Sequence, residues 1–543
     1  MLQPQRRRPW YYGAVLYHLY PLSFADANGD GFGDLRGIID HLDYLNDGTP
    51  NSLGVTAVWL SPVYASPMKD WGYDVTDHRA IDPVFGTMAD FDDLVAEAHR
   101  RDMKLLMDYV PNHTSSEHDW FKASRTSRNH PMRHWYTWAD PAADGGPPNN
   151  WLSVFGGPAW TLDPTTGQYY LHTYLEEQPD LNWRHPEVRK ALLDILRFWL
   201  DRGVDGFRVD SLPALAKDYR LRDDPRNAAF RPGCDEPTDY LKRIHSMGQA
   251  SQLGPELKPI CQLLDTKEPH LLLSEAAFDV NGLHELYGVC AEHPVHAPMN
   301  FNLINLPWSA AAYRDVINLY QDSLGEANLP NYVLGNHDQP RVASRVGWQQ
   351  ARLLAMLQLT LPGLPIVYNG EELGLTSSQV GPKLPLDPYG RAYPERNRDP
   401  ERAPMPWIDR EGGGFSRRTP WLPLPPDYRD LAVATQQRQP ESFLSFYKRL
   451  IHLRRVSPAL HDGSYRSILA EHPQVLAFQR VCGGDCVTIV LNFSDREQTV
   501  KLNDLGNMSC STHGVDGFTT NHAKSVTLQP YEGQLYEQLG DRR

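Results

Sequence analysis

The chain has 543 residues, a formal net charge of −14, and 41% hydrophobic and 10% aromatic residues. That length exceeds one ordinary core and predicts two or three domains, one of them large, and the apolar share excludes a disordered chain. The acidic balance argues against nucleic acid and anionic membranes as partners, and no run of about twenty apolar residues offers a membrane span.

The opening "MLQPQRRRPWYYGAVLYHLY" carries a basic cluster. No uninterrupted apolar stretch and no small-residue cleavage site follow it, so a soluble cytoplasmic protein is expected. A first strand is predicted at "AVLYHLY" from Ala14. Directly after it, in "DANGDGFGD", Asp26, Asn28 and Asp30 reproduce the first half of an EF-hand-like loop with Gly31 for the turn. Gly37 stands where the twelfth-position glutamate belongs, and taken alone the stretch reads as a polar turn.

Further strands are predicted at "AVWL" from Ala57, "LLMDYV" from Leu105, "GFRVD" from Gly206, "LLLSE" from Leu271, "MNFN" from Met299, "YVLGNH" from Tyr332 and "PIVYNGEE" from Pro365. Helical periodicity separates them, as in "FDDLVAEAHRRD" and "QQARLLAMLQLT". In the helix near Glu187, Leu192, Leu193, Ile195, Leu196, Trp199 and Leu200 share one broad face. Eight strand signals interleaved with helices predict an α/β fold, a (β/α)8 TIM barrel. Residues 1–110 and 184–460 would form the barrel and 111–183, after the third strand, an inserted subdomain. A Pro- and Arg-rich excursion follows the eighth strand, and 461–543 read as a C-terminal antiparallel β-sandwich domain.

The six cysteines, Cys234, Cys261, Cys290, Cys482, Cys486 and Cys510, form no zinc-like pair of C-x2-C clusters. Free thiols in a reducing compartment are expected, although Cys482 and Cys486 flank a turn across which they can approach.

One detail of the fourth strand points to chemistry. Alternation puts Phe207 and Val209 on one face and Arg208 and Asp210 on the other, and buried charges are costly unless paired. Barrel active sites lie at the C-terminal strand ends, where Asp108, Asp210, Glu275 and Asp338 fall with His113 and His337 nearby. Clustered carboxylates suit metal binding or glycoside hydrolysis. The second is favoured because the ligands are scattered along the chain and Arg208 would repel a divalent ion.

"DYVPNHTS" from Asp108, "GFRVDS" from Gly206, "SE" at Ser274 and "NHDQPR" from Asn336 resemble, in order, the four signature regions of the α-amylase family of glycoside hydrolases. "QPDLNW" from Gln178, "GYDVTDH" from Gly72 and "RDPERAPMPW" from Arg398 resemble segments of its oligo-1,6-glucosidase and α-glucosidase branch. The resemblance implies Asp210 as nucleophile, Glu275 as general acid/base and Asp338 as the carboxylate that holds the sugar hydroxyls. Asp108 would order the site. Arg208, His113 and His337 would bind the first glucosyl unit, Tyr73 would stack on it, and Asp74 would grip its O4 and O6 from the closed end. Arg398 would supply a second cation, with Arg402 close by as an alternative, and Phe155 and Tyr174 would form apolar walls.

In that branch the loop after the first strand commonly binds Ca2+ or Mg2+, here through Asp26, Asn28, Asp30, Asp34 and the Phe32 carbonyl. Ser274 replaces a glycine common before the acid/base glutamate. Ser211, after the nucleophile, goes with α-1,4 over α-1,6 linkages. The implied partners are small α-glucosides such as maltose and malto-oligosaccharides, with no nucleic acid or membrane, in a monomer or homodimer. A transglucosylase or sucrose isomerase would share the same intermediate.

Overall fold

Eight apolar runs become eight strands: β1 (Leu16–Leu19), β2 (Ala57–Leu60), β3 (Lys104–Tyr109), β4 (Gly206–Val209), β5 (Leu271–Ser274), β6 (His296–Pro298), β7 (Asn331–Val333) and β8 (Leu364–Tyr368). The computed structural model describes residues 9–233, 235–325, 328–381, 385–502, 505–514 and 525–540. Cys234 and the basic cluster of the first eight residues lie outside them. The strands pair in parallel in the order β6-β5-β4-β3-β2-β1-β8-β7. The two ends meet through the Asn331 side chain, which bonds the Pro298 carbonyl and the Asn300 N–H, and through Val333 N–H on the Asn300 carbonyl at 3.2 Å. The sheet is thereby a nearly closed (β/α)8 barrel, as expected.

Strand alternation sorts the core into two layers. Leu16, Ala57, Trp59, Leu106, Leu271, Leu273, Val333 and Ile366 fill the barrel interior. Tyr17, Val58, Met107, Phe207, Val209 and Leu272 belong to the larger cluster shared with the helices. Those helices include Met88–Arg100, opened by a Thr87–Asp90 capping box, and Pro186–Leu200, with Pro at its first turn, which buries Leu192, Ile195, Leu196 and Trp199. Leu193 and Leu200 are only partly buried, so the apolar face is narrower than expected. Helices Gly254–Leu264, Val280–Val289 and Ala310–Leu324 carry weaker signals and were not foreseen.

Two expectations need correction. The sixth strand precedes "MNFN": it is His296–Pro298, and after Pro298 the chain bends, with Asn302 N–H closing onto the Asn300 side chain at 3.0 Å. The cysteines are not all free thiols. Cys261 and Cys290 are disulfide-bonded, their Cα atoms 6.2 Å apart, because helix Gly254–Leu264 and the end of helix Val280–Val289 place them side by side. Cys482 and Cys486 remain thiols.

Three long excursions leave the mouth of the barrel. The one after β3 carries a helix (Asp119–Arg125) and a three-stranded antiparallel sheet around Trp151, Trp160 and Leu171. It is tied back by Asp180, which accepts from Asn112 Nδ2 at 3.1 Å and pairs with Lys217 Nζ at 3.0 Å. A second, unforeseen excursion follows β4, and the third follows β8. Beyond the helix Phe443–Val456 lies a five-stranded antiparallel sheet faced by the pair Gln498–Val500 and Val526–Leu528. Val475, Ala477, Val490 and Tyr536 pack between these two sheets, while Leu476, Phe478 and Ile489 pack on the barrel side. Among the described residues no helix is long and apolar enough to cross a membrane.

Candidate active site

The inward rows of the barrel change from apolar to charged as they approach the mouth. On β3, Leu106 is followed two residues on by Asp108; on β5, Leu271 and Leu273 lead to Glu275. Parallel register sets Asp108 beside Arg208, and backbone bonds carry the ladder one step further, from Asp210 N–H to the Tyr109 carbonyl (2.8 Å) and Glu275 N–H to the Val209 carbonyl (2.9 Å). Three chain segments thus deliver their acidic groups to one level.

Arg208 is the hub of that level. Its Nη1 donates to Asp108 Oδ1 at 2.7 Å and Asp210 Oδ1 at 2.9 Å, and its Nη2 lies 2.7 Å from Glu275 Oε2, with the guanidinium side chain only 1% exposed. Arg208 and Asp210 therefore do share the inward face. Trp59 Nε1 and Tyr73 Oη bond the other oxygen of Asp108, both at 3.2 Å, so this carboxylate is held on both sides. Burial drives Asp108 up to about 6 against the pull of Arg208. It also pushes Asp210 well above the ordinary carboxylate range, with Glu275 and Asp108 adding to the push and Arg208 opposing it. Among the described residues, Arg208 is the one group in direct contact with Asp210 that favours its charged form.

Asp338, in the loop after β7, forms a second cluster. Arg398 Nη1 and Arg402 Nη2 both donate to its Oδ1 at 2.9 Å, and His337 Nε2 lies 3.2 Å from Oδ2. The choice between the two arginines disappears, because both hold the same oxygen. Burial raises Asp338, but His337, Arg398 and Arg402 outweigh it and keep the group below the usual carboxylate range. His337 also meets the Tyr73 hydroxyl at 2.8 Å and lies parallel to the Tyr73 ring. Burial draws His337 down to about 3 and His113 to about 4, so both imidazoles are neutral at pH 7. His113 Nε2 contacts the Tyr73 carbonyl at 3.1 Å, which puts it on the same wall.

Asp74 does not join the cluster. Its oxygens accept from Ser66 Oγ, Asp70 N–H and Lys69 N–H at 2.9–3.0 Å, so the carboxylate is spent holding the 66–70 turn. Asp70, four residues earlier, does join the cluster: it accepts from Arg398 Nη2 at 3.2 Å and Gln178 Nε2 at 3.0 Å, and burial raises it to about 6 despite Arg398 and Arg402. Its signal was the first acidic residue in "DWGYD". Asp387 is another unforeseen member, gripping Arg398 at 2.7 Å (Nη2) and 3.0 Å (Nε).

Phe155 and Tyr174 do reach the site. Their rings are 5.5 Å apart, the Arg398 guanidinium sits 5.0 Å from the Phe155 ring, and the Tyr174 hydroxyl bonds the Ser211 hydroxyl. Ser211, at φ 50°, also gives its N–H to Glu275 Oε2 at 3.1 Å.

The family profile "Alpha amylase, catalytic domain" matches residues 18–463. An oligo-1,6-glucosidase from Parageobacillus thermoglucosidasius is 35% identical over 98% of this chain and 99% of its own length. A probable alpha-glucosidase from Rhizobium meliloti (strain 1021) is 39% identical over 92% of each. The chain belongs to the α-amylase family of glycoside hydrolases. Among solved structures, the alpha-glucosyl transfer enzyme XgtA superposes with a TM-score of 0.90 at 38% identity, covering 98% of this chain and 100% of that one. The trehalulose synthase MutB from Pseudomonas mesoacidophila MX-45 superposes with a TM-score of 0.86 at 32% identity, over 98% and 100%.

In this α-amylase-family chain the loop after β1 folds on itself. Asp26 accepts from Gly29 N–H (2.6 Å) and Gly31 N–H (2.8 Å), and Asp34 from Ala27 and Asn28 N–H (3.0 and 3.1 Å) and, as helix cap, from Gly37 N–H (2.7 Å). Asn28 and Asp30 accept the N–H groups of Asp30 and Phe32, both at 2.8 Å. Asp26 and Asp34 are both buried, and among the described residues neither has an ion-pair partner. Burial raises Asp34, with Asp26 adding to the push against the loop amides. Carboxylate and amide oxygens are the ligand types that suit a hard cation, but Asp26, Asp30 and Asp34 do not form a tight group of converging carboxylates among the described residues.

Proposed function

We propose that this chain is an exo-acting, retaining α-glucosidase that releases glucose from the non-reducing end of maltose and short α-glucosides. One observation carries the reading: a single guanidinium, Arg208, binds both Asp210 and Glu275. Carboxyl groups held that closely support the separation of about 5 Å used for retention over the 6.5–9.5 Å or so that an inverting enzyme needs for its water. Asp210 attacks the anomeric carbon while Glu275 gives its proton to the glycosidic oxygen, and the aglycone leaves as an alcohol. Water then adds at the same carbon, returns its proton to Glu275 and frees Asp210, which gives α-glucose.

The remaining residues position the ring. Asp338, fixed by Arg398 and Arg402, accepts sugar hydroxyls, and neutral His113 and His337 hydrogen-bond to others. Tyr73 packs on the ring face. Asp70, with Arg398 and Gln178, closes the far end, which favours a terminal glucosyl unit over an internal one. Phe155 and Tyr174 wall the aglycone side. Ser211, small and polar beside Asp210, favours α-1,4 linkages.

Asp26, Asn28, Asp30, Asp34 and the Phe32 carbonyl would hold a structural Ca2+ or Mg2+, which would brace the first loop and takes no part in the reaction.

The transfer reading is supported by the likeness to XgtA and MutB, and differs only in what intercepts the glucosyl–Asp210 ester. Incubation with maltose, isomaltose and sucrose, with product analysis, decides. Free glucose from maltose as the main product is expected. Oligosaccharides or a sucrose isomer outweighing glucose at modest substrate concentration would replace the hydrolase reading by the transfer one.

A further inference from the structure

Outside the barrel mouth one aromatic side chain is conspicuous. Trp348 starts the helix Trp348–Thr360 and is 45% exposed, the one exposed tryptophan among the described residues. Its indole is pinned. Phe443 meets it edge-on with centroids 5.1 Å apart, Arg352 lies 5.5 Å from its centroid, and Gly374 leaves room for it, since a Cβ there would come within 2.9 Å of Nε1. An exposed indole held this way is a rigid platform.

Beside Trp348 opens a cleft of about 570 Å³, with Asp430, Arg438, Gln439 and Glu441 in its walls. The wall is built: Gln436 is buried and bonds the Leu373 carbonyl at 2.8 Å and Leu444 N–H at 2.9 Å. A smaller cavity of about 160 Å³ shares Trp348 and Glu441. The larger volume is within the range of small-molecule sites, about 300–1,000 Å³.

The chemistry selects the ligand class. A pyranose presents a face of C–H groups that packs on an indole, while its hydroxyls suit planar carboxylate, amide and guanidinium partners. Charged groups of the wall already have partners, Arg438 with Asp409 at 3.5 Å and Glu441 with Arg449 at 3.7 Å, which favours a neutral polyhydroxylated ligand over an ion. We propose that this cleft is a second, non-catalytic site for short α-glucosides, stacked on Trp348 and bonded by Gln439, Arg438 and Glu441. No residue of the carboxylate clusters lines it. The identity of the sugar rests on the α-glucosidase reading.

Calorimetric titration of the Glu275→Gln protein with maltose tests this. Two sites per chain are expected, the weaker with a dissociation constant on the order of 1 mM. Trp348→Ala in that background should remove the weaker site and leave the tighter one. The pair Gln439→Ala/Glu441→Ala, on the exposed wall, should weaken it about tenfold if Trp348→Ala proves unstable. In the otherwise wild-type enzyme Trp348→Ala should release glucose from maltose at the parent rate. A single site in the Glu275→Gln protein that both sets of changes leave untouched would overturn the proposal. Loss of the tight site with the Trp348-dependent one retained would instead overturn the α-glucosidase reading.

Discussion

Arg208→Met tests whether one cation holds the mouth of the barrel together. The side chain makes contacts of 2.7, 2.9 and 2.7 Å to Asp108, Asp210 and Glu275 from a position with 1% exposure. Removing one partner of a buried charge pair costs about 3–5 kcal/mol, and methionine keeps the volume while deleting the charge. The three contacts do not add, because the stranded carboxylates take up protons. Burial already raises Asp108, to about 6, and also raises Asp210, and without Arg208 both rise more. A carboxylate whose folded value lies above its unfolded value of about 4 loses stability as pH rises between the two. The penalty of Arg208→Met should therefore be largest near pH 7.5 and smaller at pH 5 by at least about 1.4 kcal/mol, one pH unit of one group. Urea unfolding of parent and variant at both pH values reads this difference. Activity on maltose should fall by at least about 10²-fold, since the site loses the charge that orients both reacting groups. An equal penalty at both pH values would refute the reasoning, because the carboxylates would then not depend on Arg208.

Other outcomes follow from the same contacts. Asp210→Ala and Glu275→Gln should each abolish nearly all turnover while the fold persists. With an activated glucoside, azide should give the β-glucosyl azide from the first and the α-glucosyl azide from a Glu275→Ala protein; the reverse pairing would exchange their roles. Calcium at about 100 times its dissociation constant should stabilise the chain by about 2.7 kcal/mol and a chelator should reverse it, whereas unchanged unfolding midpoints would empty the Asp26–Asp34 loop of its proposed role. His78 is buried on the Val110 carbonyl at 3.2 Å, and burial lowers it to about 4. Its unfolded value is about 6.5, so its contribution is lost as pH falls from 6.5 towards 4, at about 1.4 kcal/mol per unit. His78→Gln keeps a donor to that carbonyl and should flatten this slope, which urea midpoints at pH 7 and 5 would show; an unaltered slope would contradict the assignment.

The period-two pattern made the barrel and its centre readable. Leu106 then Asp108, and Arg208 then Asp210, can face one way only in a strand, and the structure puts all of them inward. The closed end was not readable by that logic. In "DWGYD" Trp71 and Gly72 both have positive φ (50° and 104°), so the chain reverses and neither strand nor helix spacing says which aspartate turns towards Arg398. Contacts of the turn itself consume Asp74 and leave Asp70 to Arg398. The ambiguity between Arg398 and Arg402 dissolves for a local reason: the 3-10 turn Asp399–Arg402 brings residues four apart to the same carboxylate. The disulfide joins residues 29 apart whose nearness depends on how two helices pack behind β5, and no local spacing announces it.

The central claim is that Asp210 forms a covalent glucosyl ester beside Glu275. Proton NMR during the first turnovers of maltose, before mutarotation, reads the anomer released from the non-reducing end. Two inversions at one carbon predict α-glucose, and β-glucose as the first product would mean that water, not Asp210, attacks the sugar.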